Sequence, residues 1–153
     1  MLYILLIVII VILELKIKNH IDKSRQIGEK KPILKGKIIV KKQYNRGMML
    51  NLLDHRRDLV KKLSAISLGF LAGFFIFLLP RKNRGLEKLA LSLCLGGGIS
   101  NVLDRFTRGK VVDYFSFNLK GLRHIVFNLA DIFIFLGTII FMFVSLFTKN
   151  KPS

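Results

Sequence analysis

The chain has 153 residues, enough for one domain, and is 52% hydrophobic with Phe, Ile and Leu prominent, a composition too apolar for an ordinary soluble domain of this size. Its formal net charge of +17 would suggest nucleic acid in a soluble protein. Here the Lys and Arg lie between long apolar runs, so anionic membrane lipids are the simpler partner and no separable basic domain remains for nucleic acid. A single cysteine, Cys94, excludes an internal disulfide and a cysteine metal cluster.

In chain order, the first apolar run covers residues 1–17, close to the roughly 20 residues a helix needs to cross a bilayer core. It has neither a basic start nor a small-residue cleavage site, which predicts an uncleaved spanning helix. Residues 19–62 then carry about half of the 26 Lys and Arg and one β-like run, GKIIVKKQY, leading into NRGMML. A connector of that length predicts a folded appendage on the membrane surface, its Lys30, Lys31, Lys41 and Lys42 lying against anionic lipid.

Further spans are predicted at 63–79, 86–103 and 125–147. The third contains Cys94, expected to pack, and Gly96, Gly97 and Gly98, which allow another helix close approach. Between the last two spans, apolar residues alternate around Asp113, predicting extended backbone along the bilayer rim. The predicted fold class is a membrane all-α protein: four transmembrane helices in a single domain, 1–153, with a small β-containing segment in the first loop. An even number of spans puts loops 19–62 and 104–124 on one face, and counting basic residues alone makes that face cytoplasmic.

An ionisable side chain in a membrane helix costs roughly 2.5 to 3.5 kcal/mol and is a functional hypothesis by default. Asp131 lies about six residues into the fourth predicted span, roughly 9 Å deep. An interhelical ion pair with an arginine is the plainer reading. Asp113 upstream, and Asn128 three residues before Asp131 and so on the same helical face, favour a carboxylate pair. Two carboxylates about 4 Å apart at an effective dielectric near 20 repel by roughly 4 kcal/mol, or about three pKa units. Only one then ionises near neutral pH, and such a pair activates water for amide hydrolysis.

Asn101, Asp104 and Arg105 share a face near the end of the third span. Asp104 and Arg105 read either as a terminal ion pair or headgroup contact, or as a support for the carboxylate pair. His20, His55 and His124 lack metal-ligand spacing, and Ser100 has no histidine or lysine partner by spacing. Nothing in the residues requires a metal or organic cofactor.

The motifs GGGISNVLDRFTRGKVVDYF and FNLADIFIFLG closely resemble signal peptidase II, a four-helix aspartic endopeptidase of bacterial membranes, and the resemblance runs from about residue 33 to 147. It implies Asp113 and Asp131 as the catalytic dyad, with Asn101, Asp104, Arg105 and Asn128 as supporting residues. YNRGMML resembles the family's N-x-G-A-A-F, which makes Asn45 a substrate contact. Met48 and Met49 stand where the family prefers alanines, either narrowing the substrate channel or packing under the surface loop. LELKIK resembles L-D-x-x-x-K, placing Glu14 at the family's aspartate and Lys18 at its lysine.

The implied reaction is removal of signal peptides from lipid-modified prolipoproteins by cleavage before the diacylglyceryl-cysteine. The implied setting is a multi-pass protein, expected to be a monomer, in the bacterial cytoplasmic (cell) membrane with its dyad toward the outer face. That orientation conflicts with the charge count, and several motifs in order outweigh it. Two alternatives remain: a catalytically silent relative that binds lipidated peptides, motivated by Glu14, Met48 and Met49, or a small proton-coupled transporter using Asp131.

Overall fold

Three consecutive glycines organise the helices around one axis. Successive helical residues point about 100° apart, and in the computed structural model Gly96, Gly97 and Gly98 each face a different neighbour. A Cβ on Gly96 would lie 2.8 Å from Ile10, one on Gly97 would strike the Ala130 carbonyl and Ile134, and one on Gly98 would lie 3.1 Å from Leu68. The helix carrying these glycines is therefore central, and the other three pack around it.

The structure describes residues 1–47 and 53–148. Met48, Met49 and the C-terminal tail 149–153 lie outside the described residues. The elements are α1 (Leu2–Ser24), β1 (Lys30–Ile33), β2 (Ile38–Asn45), a 3-10 turn (Asp54–Arg56) running into α2 (Arg57–Leu78), α3 (Gly85–Arg108), β3 (Val111–Phe117) and α4 (Leu129–Thr148). Helices α2, α3 and α4 are long and apolar enough to cross a membrane. Helix α1 carries Glu14, Lys16 and Lys18 in its apolar stretch, yet its Leu2, Leu5, Val8, Ile9, Ile12 and Leu13 are exposed, as are Phe70 on α2 and Phe143 and Phe147 on α4. So much exposed apolar surface is foreign to a soluble monomer and suits hydrocarbon.

The helices differ from the predicted spans at their ends. Helix α1 continues to Ser24, well past residue 17. Helix α3 runs on through Asn101, Asp104 and Arg105 to Arg108 and stops at Gly109, whose φ of 70° is left-handed, a helix-ending conformation that glycine adopts without steric cost. Helix α4 begins only at Leu129.

The strands form one antiparallel sheet in the order β1-β2-β3. The run GKIIVKKQY supplies β2 as predicted, and the alternating segment around Asp113 supplies β3, so the sheet joins two loops and is not confined to the first. In register, Gln43 lies opposite Asp113 and Asn45 opposite Val111. Past β3, Phe127 N–H donates to the Phe115 carbonyl at 2.7 Å, and its own carbonyl accepts from the N–H groups of Tyr114 and Phe115. This bridge lays the start of α4 against β3. Beneath the sheet, Val112 and Tyr114 pack on Ile21 of α1.

Candidate active site

Asn128 and Asp131 cap α4 reciprocally. The Asp131 N–H donates to Asn128 Oδ1 at 2.9 Å, and the Asn128 N–H donates to Asp131 Oδ2 at 3.2 Å, the logic of a capping box. Asp131 therefore sits in the first helical turn, at the positive end of the helix dipole, and not about six residues inside a span. Ile125 to Phe127 are apolar enough to extend a span, but the Phe127 bridge holds them as extended chain. Asn128 precedes the helix, so the two residues meet as a cap and not as neighbours on a helical face.

The side chain of Asn128 also reaches the other carboxylate, with Nδ2 donating to Asp113 Oδ1 at 2.7 Å. One asparagine thus bonds both aspartates. Asp113 lies in β3, 3% exposed, and takes a second side-chain hydrogen bond from Asn45 of β2. Burial, followed by the charge of Asp131, pushes its carboxyl from the ordinary 3.8 up to about 7. Repulsion between the carboxylates is the expected cause, and desolvation is the larger one. Asp131 is half-buried, so the pair has one enclosed member and one accessible member.

Behind Asp131, Asn101 of α3 donates from Nδ2 to Asp131 Oδ1 at 3.0 Å and accepts from Lys18 Nζ at 2.8 Å. Lys18 is fully buried and also meets Ser100 Oγ at 3.1 Å, Asp104 Oδ2 at 3.2 Å and Glu14 Oε1 at 3.7 Å. Ser100 therefore does have a lysine partner, 82 residues away and invisible to local spacing. Lys18 Nζ is shared among Asn101 and the two carboxylates as well as Ser100. Its role is to satisfy buried carboxylates that would be costly alone.

Asp104 and Arg105 do not pair with each other. Adjacent helical residues point apart, and Asp104 instead contacts Lys18 and Arg108 Nε, the latter at 3.2 Å. Arg105 turns toward the end of β2, donating from Nη2 to the Gly47 carbonyl at 3.0 Å, and Asp113 and Asp131 are the carboxylates that act most on its charge. Arg108 binds Asp22 at 3.2 Å, and Tyr44 O–H donates to the same carboxylate at 2.6 Å, tying the ends of α1, α3 and β2 together.

Glu14 serves the start of α4. Its Oε1 accepts from the Ala130 N–H at 3.2 Å and its Oε2 from the Tyr114 hydroxyl at 2.8 Å, while the Tyr114 oxygen accepts from the Leu129 N–H at 3.0 Å. With Asn128 on Asp131, side chains satisfy three of the free amides that open this helix. Local spacing identified neither Tyr114 nor Ser100. Tyr114's only sequence signal is its place beside Asp113.

The family described as Signal peptidase (SPase) II matches residues 6–147. A lipoprotein signal peptidase of Fusobacterium nucleatum is 30% identical over 151 residues, covering 99% of this chain and 90% of that protein. Another from Ralstonia nicotianae is 35% identical over 136 residues, covering 87% and 77%. A bacterial membrane enzyme determined in meso at 2.3 Å resolution superposes with a TM-score of 0.83 over 99% of this chain and 92% of its own, at 22% identity, a likeness in fold.

Proposed function

The chain belongs to the signal peptidase II family, a signal-peptide-processing hydrolase of lipoproteins and a multi-pass bacterial membrane protein, and we propose that it works as an aspartic endopeptidase through Asp113 and Asp131. The observation that carries the proposal is the Asn128 bridge, which bonds both carboxylates. Asp113, raised to about 7 by burial and by its neighbour, holds the proton of the pair and donates it in a hydrogen bond to the scissile carbonyl oxygen. Asp131, at the helix N-terminus with two N–H donors on its oxygens, carries the negative charge and takes a proton from water.

The water oxygen attacks the carbonyl carbon directly, and the carbonyl oxygen takes the Asp113 proton to become a hydroxyl. As the C–N bond breaks, the proton on Asp131 passes to the leaving nitrogen while a hydroxyl proton returns to Asp113, leaving the carboxylic acid and the singly protonated pair. The peptide bond cut is the one before the diacylglyceryl-cysteine of a prolipoprotein. Asn45 and Arg105 meet the substrate side of the pair, and Asn101, Asn128, Lys18, Asp104 and Glu14 hold it in place. Helix α1 is the fourth membrane span, the domain is single, the dyad faces the outer side of the cell membrane, and the protein acts as a monomer.

Anionic lipid is the proposed partner of the sheet. Lys30 lies directly across from Lys41, an unfavourable like-charge pairing, and burial and then Lys30 hold the Lys41 ammonium below its usual range. A headgroup phosphate relieves both. Lys42 takes no part, because it turns inward to Asp22.

The test is cleavage of a diacylglyceryl-modified prolipoprotein by the purified protein in detergent. The wild type is expected to cleave, while Asp113→Asn and Asp131→Asn lose at least about 100-fold with folding intact. Undiminished cleavage by either variant would remove the dyad, and an inert wild type would remove the function.

A further inference from the structure

Proline aside, every amide that opens a helix needs an acceptor, and at α4 those acceptors come from far away in the chain. Tyr114 is 100 residues from Glu14, and Glu14 is 116 residues from Ala130. The three groups close a small circuit: Leu129 N–H to the Tyr114 oxygen, the Tyr114 O–H to Glu14 Oε2, and Ala130 N–H to Glu14 Oε1. Glu14 and Ala130 have no exposure and Tyr114 has 6%, so water cannot replace a lost partner. The circuit joins the strand residue next to Asp113 to the two helical residues immediately before Asp131.

We propose that Glu14 and Tyr114 form a matched positioning clamp that sets Asp131 against Asp113, a reading that rests on the dyad proposed above. The lengths of the two side chains fit each other. A shorter aspartate at 14 would draw its carboxyl back by about 1.5 Å, one carbon–carbon bond, out of simultaneous reach of the Tyr114 hydroxyl and the Ala130 amide. Phenylalanine at 114 leaves the Leu129 amide without its acceptor and Glu14 Oε2 without its donor. Lys18 lies 3.7 Å from Glu14 Oε1, the oxygen that also takes the Ala130 amide, and Ile10, one turn earlier on α1, is wedged against Gly96 of α3. The carboxylate is thus anchored from the bundle, and the start of α4 follows it. Neither residue touches the scissile bond, and both act through Asp131.

The experiment compares wild type, Tyr114→Phe, Glu14→Asp and the double variant, each purified in detergent with a diacylglyceryl-modified prolipoprotein as substrate. It reads kcat, KM, the pH profile and amide hydrogen exchange at Leu129 and Ala130. Each single variant is expected to lose about tenfold in kcat, the effect of a barrier raised by about 1.4 kcal/mol when Asp131 is displaced, with KM within twofold. The double variant is expected to lose no more than the worse single, since both break one circuit. A merely structural role would leave the pH profile alone. Loosening Asp131 from Asp113 instead removes part of what raises the Asp113 carboxyl, so the alkaline loss of activity moves to lower pH, and exchange at Leu129 quickens.

Wild-type kcat and an unshifted alkaline limb in Tyr114→Phe would overturn the clamp, as would losses that simply multiply in the double variant. An inert wild type, or Asp113→Asn that still cuts, would overturn the dyad itself and the clamp's catalytic role with it. Unchanged exchange at Leu129 in Tyr114→Phe would overturn the clamp whatever the activity.

Discussion

Helix α2 and the seam between α1, α3 and α4 are built on opposite principles. On the outward side of α2, Ile66, Phe70 and Phe74 flank Gly69 and Gly73, and a Cβ at either glycine would meet nothing within 4 Å. In the seam, Glu14, Lys18, Ser100 and Asp104 have no exposure at all, and Gly97 has the Ala130 carbonyl against it. Apolar groups face out and charges face in. In hydrocarbon, lipid can fill any outward gap, but no water reaches the seam to take over a lost hydrogen bond. Sequence change should therefore be cheap on the first surface and expensive in the second, and the proposed catalytic pair lies at the edge of the second.

Lys18→Met tests the expensive side hardest, because it removes the buried cation that Asp104 and Glu14 share. The expected loss is about 3 to 5 kcal/mol of stability, measured by unfolding in detergent, and a loss below about 1 kcal/mol would mean the seam is wetter than its burial indicates. Gly97→Val drives a branched side chain into α4, and about 1 to 3 kcal/mol of overpacking strain is expected in the same assay. A smaller effect belongs to the edge of the sheet, where β1 is exposed along its whole length and lies away from the seam. Replacing Lys30 and Lys41 with Gln should weaken binding to anionic vesicles by about 1 kcal/mol per lysine and leave binding to neutral vesicles alone. Equal binding to both would dismiss the headgroup partner. Last comes Gly69→Ala on the open side, expected to be neutral or to stabilise by up to about 1 kcal/mol; a clear destabilisation there would erase the contrast with Gly97.

Local sequence carried the convergence of the two aspartates well and the residues around them less well. Asp113, Asp131, Asn101, Asn128 and Arg105 lie within about thirty residues, in motifs whose spacing can be read directly, and the structure brings all five together. Lys18 and Glu14 became visible only through resemblance, since Lys18 meets Ser100 and Asn101 across 82 and 83 residues. The start of α4 was misplaced because Ile125, Val126 and Phe127 have a composition that serves a membrane helix and a strand bridge equally well. Strand β1 went unread for the opposite reason. Its KKPI shows no alternation, and Pro32 is tolerated because the strand is an edge.

The central claim is that Asp113 and Asp131 share one proton, and the pH dependence of prolipoprotein cleavage tests it most directly. Asp113 is raised, so the pair keeps its proton below pH about 7 and becomes doubly ionised above it. The expected profile falls on the alkaline side with a midpoint near 7, at pH values where the fold remains intact. Activity that holds constant or rises as pH climbs well past 7 would contradict a proton shared by the two aspartates.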